Sequence, residues 1–437
     1  MVIPQMNNLA GSKELRNKIL LTFGLLIVYR LGIHVPVPGI NGQAIADFFA
    51  NAQGTLFGLF DMFSGGGLSR LSVFALGIMP YISASIILQL LTVVSPELSR
   101  LKKEEGEAGQ KKITQYTRYL TVLITLVQGT GISIGLQQMT SPSGEAVVPD
   151  PGAMFVFVTV ITLSAGTIFI MWLGEQITAR GIGNGISLII FSGIVAGIPG
   201  ALMNSFRLMS SGEMAIFVAL IILAVMAGVL IFTCFMETSQ RRIPIHYAKR
   251  QMGRKMYGGQ NTHLPLRVNT AGVIPPIFAS SILMFPATLA NFSQVEWLQA
   301  VSTFFQPGSL AYTLIFVGLI IFFCFFYTAI IFDPKDIAEN LKKQGGFIPG
   351  IRPGQHTKEY IDKVLTRITL WGSLYVSAIC VLPMLLINKL NVPFYFGGTA
   401  LLIVVGVAID TMSQVQSYLI THQYEGLMQK SKLKGRF

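Results

Sequence analysis

The chain has 437 residues, of which 52% are hydrophobic and only 12% are charged, with a mean hydropathy of +0.60 and a formal net charge of +12. Soluble domains carry about 25% charged residues, so this composition excludes an ordinary soluble protein and indicates a chain that is dissolved in lipid. The basic balance also fits a nucleic-acid binder, but membrane proteins retain lysine and arginine in their cytoplasmic loops, so the positions of these residues must decide.

Ten apolar runs are long enough to cross a bilayer with a hydrocarbon core of about 30 Å. In chain order they lie near residues 19–38, 72–94, 116–136, 153–174, 184–202, 214–236, 270–290, 310–332, 366–387 and 394–414. No small-residue cleavage site follows the first run, so we interpret that run as a span that the chain retains. An even number of spans places both termini on the same side of the membrane.

The positions of the basic residues support this count. With ten alternating spans, 28 of the 32 lysines and arginines fall in or beside the loops and termini of one side. Only Arg30, Arg70, Arg207 and Lys389 lie in or near the other side. Because cytoplasmic loops retain lysine and arginine, both termini are expected in the cytoplasm.

Ten spans predict two halves of five spans each. The N-terminal half would comprise residues 1–203 and the C-terminal half residues 204–437. With an odd number of spans in each half, homologous halves would be inverted copies, a plan that places a pathway at their interface. The predicted fold class is therefore an all-α polytopic membrane protein.

A short apolar segment between spans one and two cannot cross the bilayer. It runs from Phe57 to Arg70 with the sequence FGLFDMFSGGGLSR and contains three consecutive glycines. Partial segments survive at membrane depth only where protein or a water-filled cavity satisfies the backbone, so one interpretation is a re-entrant plug helix. The other interpretation is an amphipathic helix that lies in the membrane interface.

Spans two and seven each contain residues that weaken helices. Gly77 and Pro80 lie in span two, and Pro275, Pro276 and Pro286 lie in span seven. Proline lacks a backbone donor, so these residues predict kinks, which are common in packed bundles and also suit a moving gate.

The interiors of the spans hold few ionisable groups. Arg30, His34, Glu175 and Asp410 lie toward span ends, where we interpret them as interfacial anchors. The sequence from Gly131 to Gly135 matches the letters of a nucleophile elbow around a serine, but that motif requires a strand-to-helix turn. Phosphate-binding loops are also missing, so the predicted pathway is passive and its energy comes from a partner.

The loops after spans six and eight, about residues 237–269 and 333–365, are unusually long for a bundle in which connections of 2–8 residues are common. Both loops are strongly basic, so they could attract an acidic partner, RNA phosphate or anionic lipid head groups. The alternative, that they only set the topology, explains their charge but not their length.

At five motifs the sequence resembles the SecY family, whose members are channel subunits of the Sec protein translocase, and the resemblance covers nearly the whole chain. The motifs are FSGG at 63–66 with Ser69 and Arg70, ALGIMPYI at 75–82, GIGNG at 181–185, PGIRPG at 349–354 and PFYFGGT at 393–399.

The resemblance implies an hourglass of two five-helix halves with an apolar ring at its waist and a plug at about 57–70. The implied ring residues are Ile78, Ile82, Ile190, Ile277 and Ile403. The implied plug residues are Phe57, Phe60, Met62, Phe63, Ser64, Gly65 and Arg70. A collar of branched apolar side chains can gate a pore by excluding water, and it can yield to many different peptide sequences.

The resemblance also implies a lateral gate and docking loops. The gate between spans two and seven would be lined by Ser83, Gln89, Asn269 and Phe285. Docking of a ribosome or a SecA-type motor ATPase would involve Lys249, Arg250, Arg254, Lys255 and Arg352, with ribosomal RNA as one contact of the cytosolic loops. Further implied partners are SecE, SecG, signal peptides, nascent or precursor polypeptides and membrane lipids.

The predicted function is therefore the central subunit of a passive protein-conducting channel in the bacterial cytoplasmic (inner) membrane. It would pass unfolded polypeptides and release transmembrane segments sideways into lipid, without enzymatic activity, cofactor or metal. The alternatives are a secondary transporter of a small solute, which would need a polar site at the midplane, and an intramembrane hydrolase that uses Ser133.

Overall fold

The computed structural model describes residues 13–51, 56–137, 139, 144–211, 216–247, 250–252, 255–257, 262–292, 309–390 and 398–434. Most of these residues are helical. In chain order the helices are α1 (Lys13–Gly32), α2 (Gly42–Asn51), α3 (Leu56–Ser64), α4 (Met79–Val94), α5 (Pro96–Glu104), α6 (Gly106–Gln137), α7 (Ala153–Arg180), α8 (Gly185–Ser210), α9 (Ile216–Thr238), α10 (Ile274–Phe292), α11 (Leu310–Ile331), α12 (Pro334–Lys343), α13 (Gln355–Leu390) and α14 (Gly398–Lys434).

Each of the ten predicted spans overlaps one of these helices. Within the described part of the chain, five helical stretches are long and apolar enough to cross a membrane: Gly106–Gln137, Ala153–Arg180, Leu310–Lys343, Gln355–Pro383 and Gly398–Thr421. Four further apolar stretches are shorter, namely Met79–Val94, Gly185–Gly200, Leu223–Thr238 and Ile274–Leu283. The chain is thus a multi-pass helical protein, and the number of ten spans stays a prediction.

Three of the prolines that predicted kinks in spans two and seven, Pro80, Pro275 and Pro276, lie in the first turn of a helix. Residues 71–78 form turns, and α4 begins only at Met79, so Pro80 lies in its first turn. Likewise Pro275 and Pro276 follow Ile274, the first residue of α10. The N–H groups in the first turn of a helix have no intrahelical acceptor. A proline there therefore costs no hydrogen bond, and it favours the start of the helix instead of bending it.

The helices pack in two neighbouring sets. In the first set α4 contacts α6, α6 contacts α7, and α7 contacts both α1 and α8. In the second set α10 contacts α11, α11 contacts α13, and α14 contacts α13 and α9. The sets meet where α4 contacts α10 and where α8 contacts α14. A pathway between the sets would therefore lie in the region between these two contacts.

The expectation of an all-α chain was wrong for the two long loops. The first loop contains β1 (Gln240–Tyr247), β2 (Arg250–Met252), β3 (Lys255–Tyr257) and β4 (Thr262–Arg267), and the second contains β5 (Gly346–Phe347). β1 is central in a three-stranded antiparallel sheet of order β4-β1-β5, and β2 pairs with β3. The two loops therefore form one folded unit.

A separate apolar core holds this unit together. It consists of Ile243, Ile245, Leu266, Leu341, Ile348, Ile361 and Leu365, contributed by both loops and by the first turns of α13. Along β1 Ile243 and Ile245 are buried while Arg242 and Pro244 are exposed, which is the two-residue period of a strand with one buried face. The alternation was visible in the sequence but lay within a run of charged residues.

Leu266→Ala should loosen the folded loop unit without affecting the helices. Leu266 is 0% exposed, and truncation of a buried leucine typically costs about 2–5 kcal/mol. We expect faster limited proteolysis within 237–269, monitored by mass spectrometry. Thr262→Ala, at an exposed position of the same strand, is the control and should leave the cleavage rate unchanged. Equal rates for both variants would contradict a structural role for this core.

Candidate functional site

The five isoleucines predicted to form a ring lie in one apolar cluster. Ile78 immediately precedes α4 and Ile82 lies one turn into it, while Ile190, Ile277 and Ile403 come from α8, α10 and α14. Each of the five is at most 7% exposed. The cluster thus receives predicted ring residues from both sets of helices.

The segment predicted as a plug packs onto this cluster. Helix α3 contacts α8, and Phe63 and Met62 of α3 join the same apolar cluster as the ring residues. Phe63 is 3% exposed, which excludes a helix that merely lies on the surface with this face toward lipid. The side chains of Phe57 and Phe60 lie outside the described residues.

The carboxyl end of the plug segment makes a tight turn. Gly65 and Gly66 have φ values of +70° and +86°, in the left-handed region that favours glycine. Ser64 closes the turn, because its hydroxyl donates to the Asp61 carbonyl at 3.0 Å and accepts from the N–H of Gly67 at 3.1 Å. Arg70 is exposed just beyond the turn.

Asp61 fixes the following residues to the end of α3. Its Oδ1 accepts a hydrogen bond from the N–H of Ser69 at 2.7 Å, and its carbonyl accepts from the N–H of Gly66 at 2.8 Å. Burial raises the pKa of the Asp61 carboxyl above its ordinary value of 3.8, while the bonds from Ser69 and the charge of Arg70 lower it less. Sequence reasoning did not single out this carboxyl.

The plug segment should therefore become less stable as the pH rises. Since the folded chain raises the pKa of Asp61, the stability gained by protonation is fully present below 3.8 and is lost as the pH rises through the raised value. Between roughly pH 4 and pH 7 the wild-type melting temperature should fall relative to that of Asp61→Asn, which cannot ionise. Asp150→Asn, at an exposed position, is the control variant for the loss of one carboxylate. A pH-independent difference between Asp61→Asn and wild type would contradict the prediction.

Two of the predicted gate residues lie on α4, which contacts α10. Ser83 is half-buried. The side-chain amide of Gln89 donates to the hydroxyl of Ser85 at 3.2 Å, and its Oε1 is buried without a hydrogen-bond partner. An unpaired buried acceptor is costly, so Gln89 makes the packing of α4 less favourable than an apolar side chain would.

The other two predicted gate residues lie just before α10 and within it. Asn269 is buried just before the helix, and its amide donates to Oε1 of Glu237 at 2.7 Å and to the carbonyl of Gly272 at 3.0 Å. It therefore ties the start of α10 to the end of α9. Phe285 lies within α10, but its side chain is outside the described residues.

Among the predicted docking residues, Arg352 is exposed in the turn before α13. The carbonyl of Arg352 accepts from the hydroxyl of Thr357 at 3.0 Å, and Ile351 packs against the core of the loop unit. Arg250 and Lys255 lie on β2 and β3, but their side chains are outside the described residues. Lys249 and Arg254 lie outside the described residues altogether.

Two acids that the sequence analysis interpreted as interfacial anchors have basic partners. Glu175 accepts two hydrogen bonds from Arg118, each of 2.8 Å, and this forked pair joins α6 to α7. Asp410 forms an ion pair of 3.4 Å with Arg267 of β4. The interpretation as anchors was incomplete, because partners that are distant in sequence cannot be read from a single chain.

The GIGNG motif connects three elements. The N–H of Gly183, which has a φ of +87°, donates to Oε1 of Gln414 on α14 at 2.9 Å. The N–H of Ile182 donates to the hydroxyl of Thr22 on α1 at 3.1 Å, and Asn184 caps α8. The motif thus holds the chain between α7 and α8 against both α1 and α14.

A polar cavity of about 940 Å³ opens beside this motif. Its lining residues are Glu14, Asn184, Arg267, Asp410, Ser413, Gln414, Ser417, Tyr418 and Thr421. The cavity adjoins the folded loop unit through Arg267 of β4, and most of its lining residues lie on α14.

Ser133 does not sit in a nucleophile elbow. It lies within α6, and its hydroxyl donates to the Thr130 carbonyl of the same helix at 2.9 Å. The helical setting removes the structural basis of the hydrolase alternative.

Apolar helices of two sets that share one buried cluster, with a short helix packed on that cluster, define the class of multi-pass helical membrane proteins. The family model for SecY matches residues 72–412. The chain is 56% identical to the protein translocase subunit SecY of Pseudomonas aeruginosa over 429 residues, which are 97% of this chain and 96% of that protein. The chain belongs to the SecY family, which consists of translocation channels and not of enzymes.

Solved structures share the fold. One is a SecY channel described for the plug domain that stabilises its closed state and maintains a membrane seal; it has a TM-score of 0.65, 18% identity and 93% coverage of both chains. Another is Sec61 in the canine ribosome–channel complex, with a TM-score of 0.62, 16% identity and 93% coverage of both chains. The chain is accordingly a bacterial multi-pass membrane protein with the fold of these channels.

Proposed function

We propose that the chain is the central subunit of a protein-conducting channel with ten spans and two five-helix halves, residues 1–203 and 204–437. Unfolded polypeptides would pass through the ring of isoleucines, and transmembrane segments would leave sideways between α4 and α10. The observation that carries the proposal is the single apolar cluster in which ring residues from α4, α8, α10 and α14 meet Phe63 of the plug segment.

The physical logic follows from the apolar character of this cluster. A collar of branched side chains excludes water and ions while it is closed, and it can part for a chain of any sequence because no specific hydrogen bond must be replaced. Met62 and Phe63 of the plug segment pack in the same apolar cluster as the collar residues, which supports a plug over the collar. A small-solute transporter would instead need polar groups at this constriction.

The power source and the partners belong to the same proposal. Phosphate-binding motifs are missing from the sequence, so a ribosome or a SecA-type motor on the cytoplasmic side supplies the energy. From the distribution of lysine and arginine, both termini lie in the cytoplasm. The exposed Arg352 suits an acidic or phosphate-bearing partner. SecE and SecG would cover exposed apolar helix faces, in the inner membrane of a bacterium.

Site-directed crosslinking tests the route. A crosslinker is attached at Ile78→Cys in a background from which Cys234, Cys324 and Cys380 have been removed, and a precursor is stalled during import into vesicles. We expect crosslinks to the precursor only when motor and ATP are present. Ile161→Cys, at a position that is 50% exposed on α7, is the control and should crosslink to lipid. Equal precursor crosslinking at both positions would contradict passage through the ring.

A further inference from the structure

Two side chains of α1 hydrogen-bond the carboxyl end of the plug segment. The hydroxyl of Tyr29 donates to the carbonyl of Ser64 at 3.1 Å. Nη1 of Arg30 donates to the carbonyl of Gly65 at 3.0 Å. Tyr29 is 1% exposed, so its hydroxyl has little access to water as an alternative partner. The interpretation of Arg30 as an interfacial anchor was incomplete, because its guanidinium binds an internal carbonyl.

The Ser64 carbonyl is one that a helix end leaves without an intrahelical partner, and the Gly65 carbonyl follows directly after it. Helix α3 ends at Ser64, and the last carbonyls of a helix carry a partial negative charge that favours a cation. The left-handed turn at Gly65 directs its carbonyl toward Arg30. The guanidinium therefore caps the plug helix from a neighbouring helix, which makes the cap dependent on the position of the plug.

The same turn also makes a close backbone contact with α8. A Cβ atom added to Gly193 would lie 3.1 Å from the Cα of Gly65, and one added to Gly65 would lie 2.9 Å from the Cα of Gly193. A Cβ on Gly65 would also lie 2.8 Å from Nη1 of Arg30. Both α1 and α8 thus contact the turn closely, and there is no space for a side chain at Gly65.

We propose that Tyr29 and Arg30 form a latch that holds the plug segment against the ring, and that breaking the Arg30–Gly65 hydrogen bond is a step in opening. This inference rests on the proposed plug. The latch binds main-chain carbonyls, so it holds the segment at one position without burying additional apolar side chains. A few hydrogen bonds and one glycine contact can be released together when the plug segment moves away from α1 and α8, whereas a side chain locked into a cavity could not leave as easily.

Resting ion conductance tests the latch. The full channel with its partner subunits is placed in a planar bilayer without precursor. Loss of a charge-assisted hydrogen bond should shift the closed–open equilibrium by about tenfold, so Arg30→Ala should raise the resting open probability by about that factor. Arg30→Lys keeps the charge and one donor and should restore part of the seal. Arg207→Ala, at an exposed arginine of α8, is the matched control and should leave the conductance unchanged.

A second variant separates the latch from general damage to the fold. Tyr29→Phe removes only the hydroxyl and keeps the ring stacked on Phe74 at a centroid distance of 6.0 Å. It should raise the resting open probability less than Arg30→Ala does. An unchanged conductance in both variants would overturn the latch.

Deletion of residues 60–70 distinguishes the two levels of the proposal. The deletion should raise the resting conductance by itself, and Arg30→Ala should add nothing to it because the carbonyl partner is gone. If the deletion leaves the conductance unchanged, the plug is wrong. If the deletion raises it while Arg30→Ala does so equally in both backgrounds, or in neither, the plug stands and the latch is wrong.

Discussion

Replacing Ile190 and Ile403 with asparagine should raise the resting ion conductance of the channel about tenfold or more. Both side chains are at most 2% exposed and lie in the apolar cluster at the waist. Water leaves a narrow apolar constriction spontaneously, whereas two amides would retain it and lower the barrier for hydrated ions. Planar-bilayer recordings of the assembled channel without precursor would measure the effect.

The matched control for the ring keeps its chemistry and changes only its volume. Ile190→Val with Ile403→Val removes one methylene at each position and should leave the waist dry, so the conductance should stay near the wild-type value. Comparable melting temperatures of both double variants would show that the helices remain assembled. An asparagine variant that conducts no more than the valine variant would remove the ring from its proposed role.

Arg352→Glu should reduce import of a signal-bearing precursor by an order of magnitude or more when a motor or ribosome drives it. The turn that carries Arg352 is held by the Thr357 hydroxyl at 3.0 Å and by Ile348 and Ile351 in the apolar core of the loop unit. A fixed guanidinium can bind a carboxylate or a phosphate with two hydrogen bonds, and reversal of its charge turns attraction into repulsion. The measurement is protease-protected precursor in vesicles.

Lys342→Glu tests whether position or total charge matters. Lys342 is exposed in the last turn of α12 within the same loop unit, so its reversal changes the net charge by the same amount. We expect a small loss of import that disappears in high salt, because exposed charges at a distance are screened. Equal losses for both variants would indicate a diffuse electrostatic attraction and not docking at the Arg352 turn.

The helices were predicted well because a long apolar run in lipid can adopt few backbone structures other than a helix. All ten runs overlap helices, and the departures concern helix starts, where Pro80 and Pro275 behave as first-turn residues. The sheet of the long loops was missed, because β1 pairs with β5 across about a hundred residues and this pairing leaves only a two-residue alternation in the local sequence.

The candidate site likewise has features that the sequence predicts and features that it does not. The positions of Ile78 and Phe63 in one cluster agree with the resemblance, which could be read from local motifs. The partner of Arg30 could not be read from them, because a main-chain carbonyl has no sequence signature. Glycines at 65 and 193 gave a weak signal, since close backbone crossings favour small residues, but either one alone is compatible with many roles.

The pairing of β1 with β5 allows the loop unit to transmit force as a lever. A load applied at the Arg352 turn is carried through the core of the loop unit to β4, which ends at Arg267. Seven residues later α10 begins at Ile274, and a Cβ on Gly372 of α13 would lie 2.5 Å from the carbonyl of Val268, so this short connection has little slack. A partner that moves the loop unit would therefore displace the first turn of α10, the helix that carries Ile277 and contacts α4.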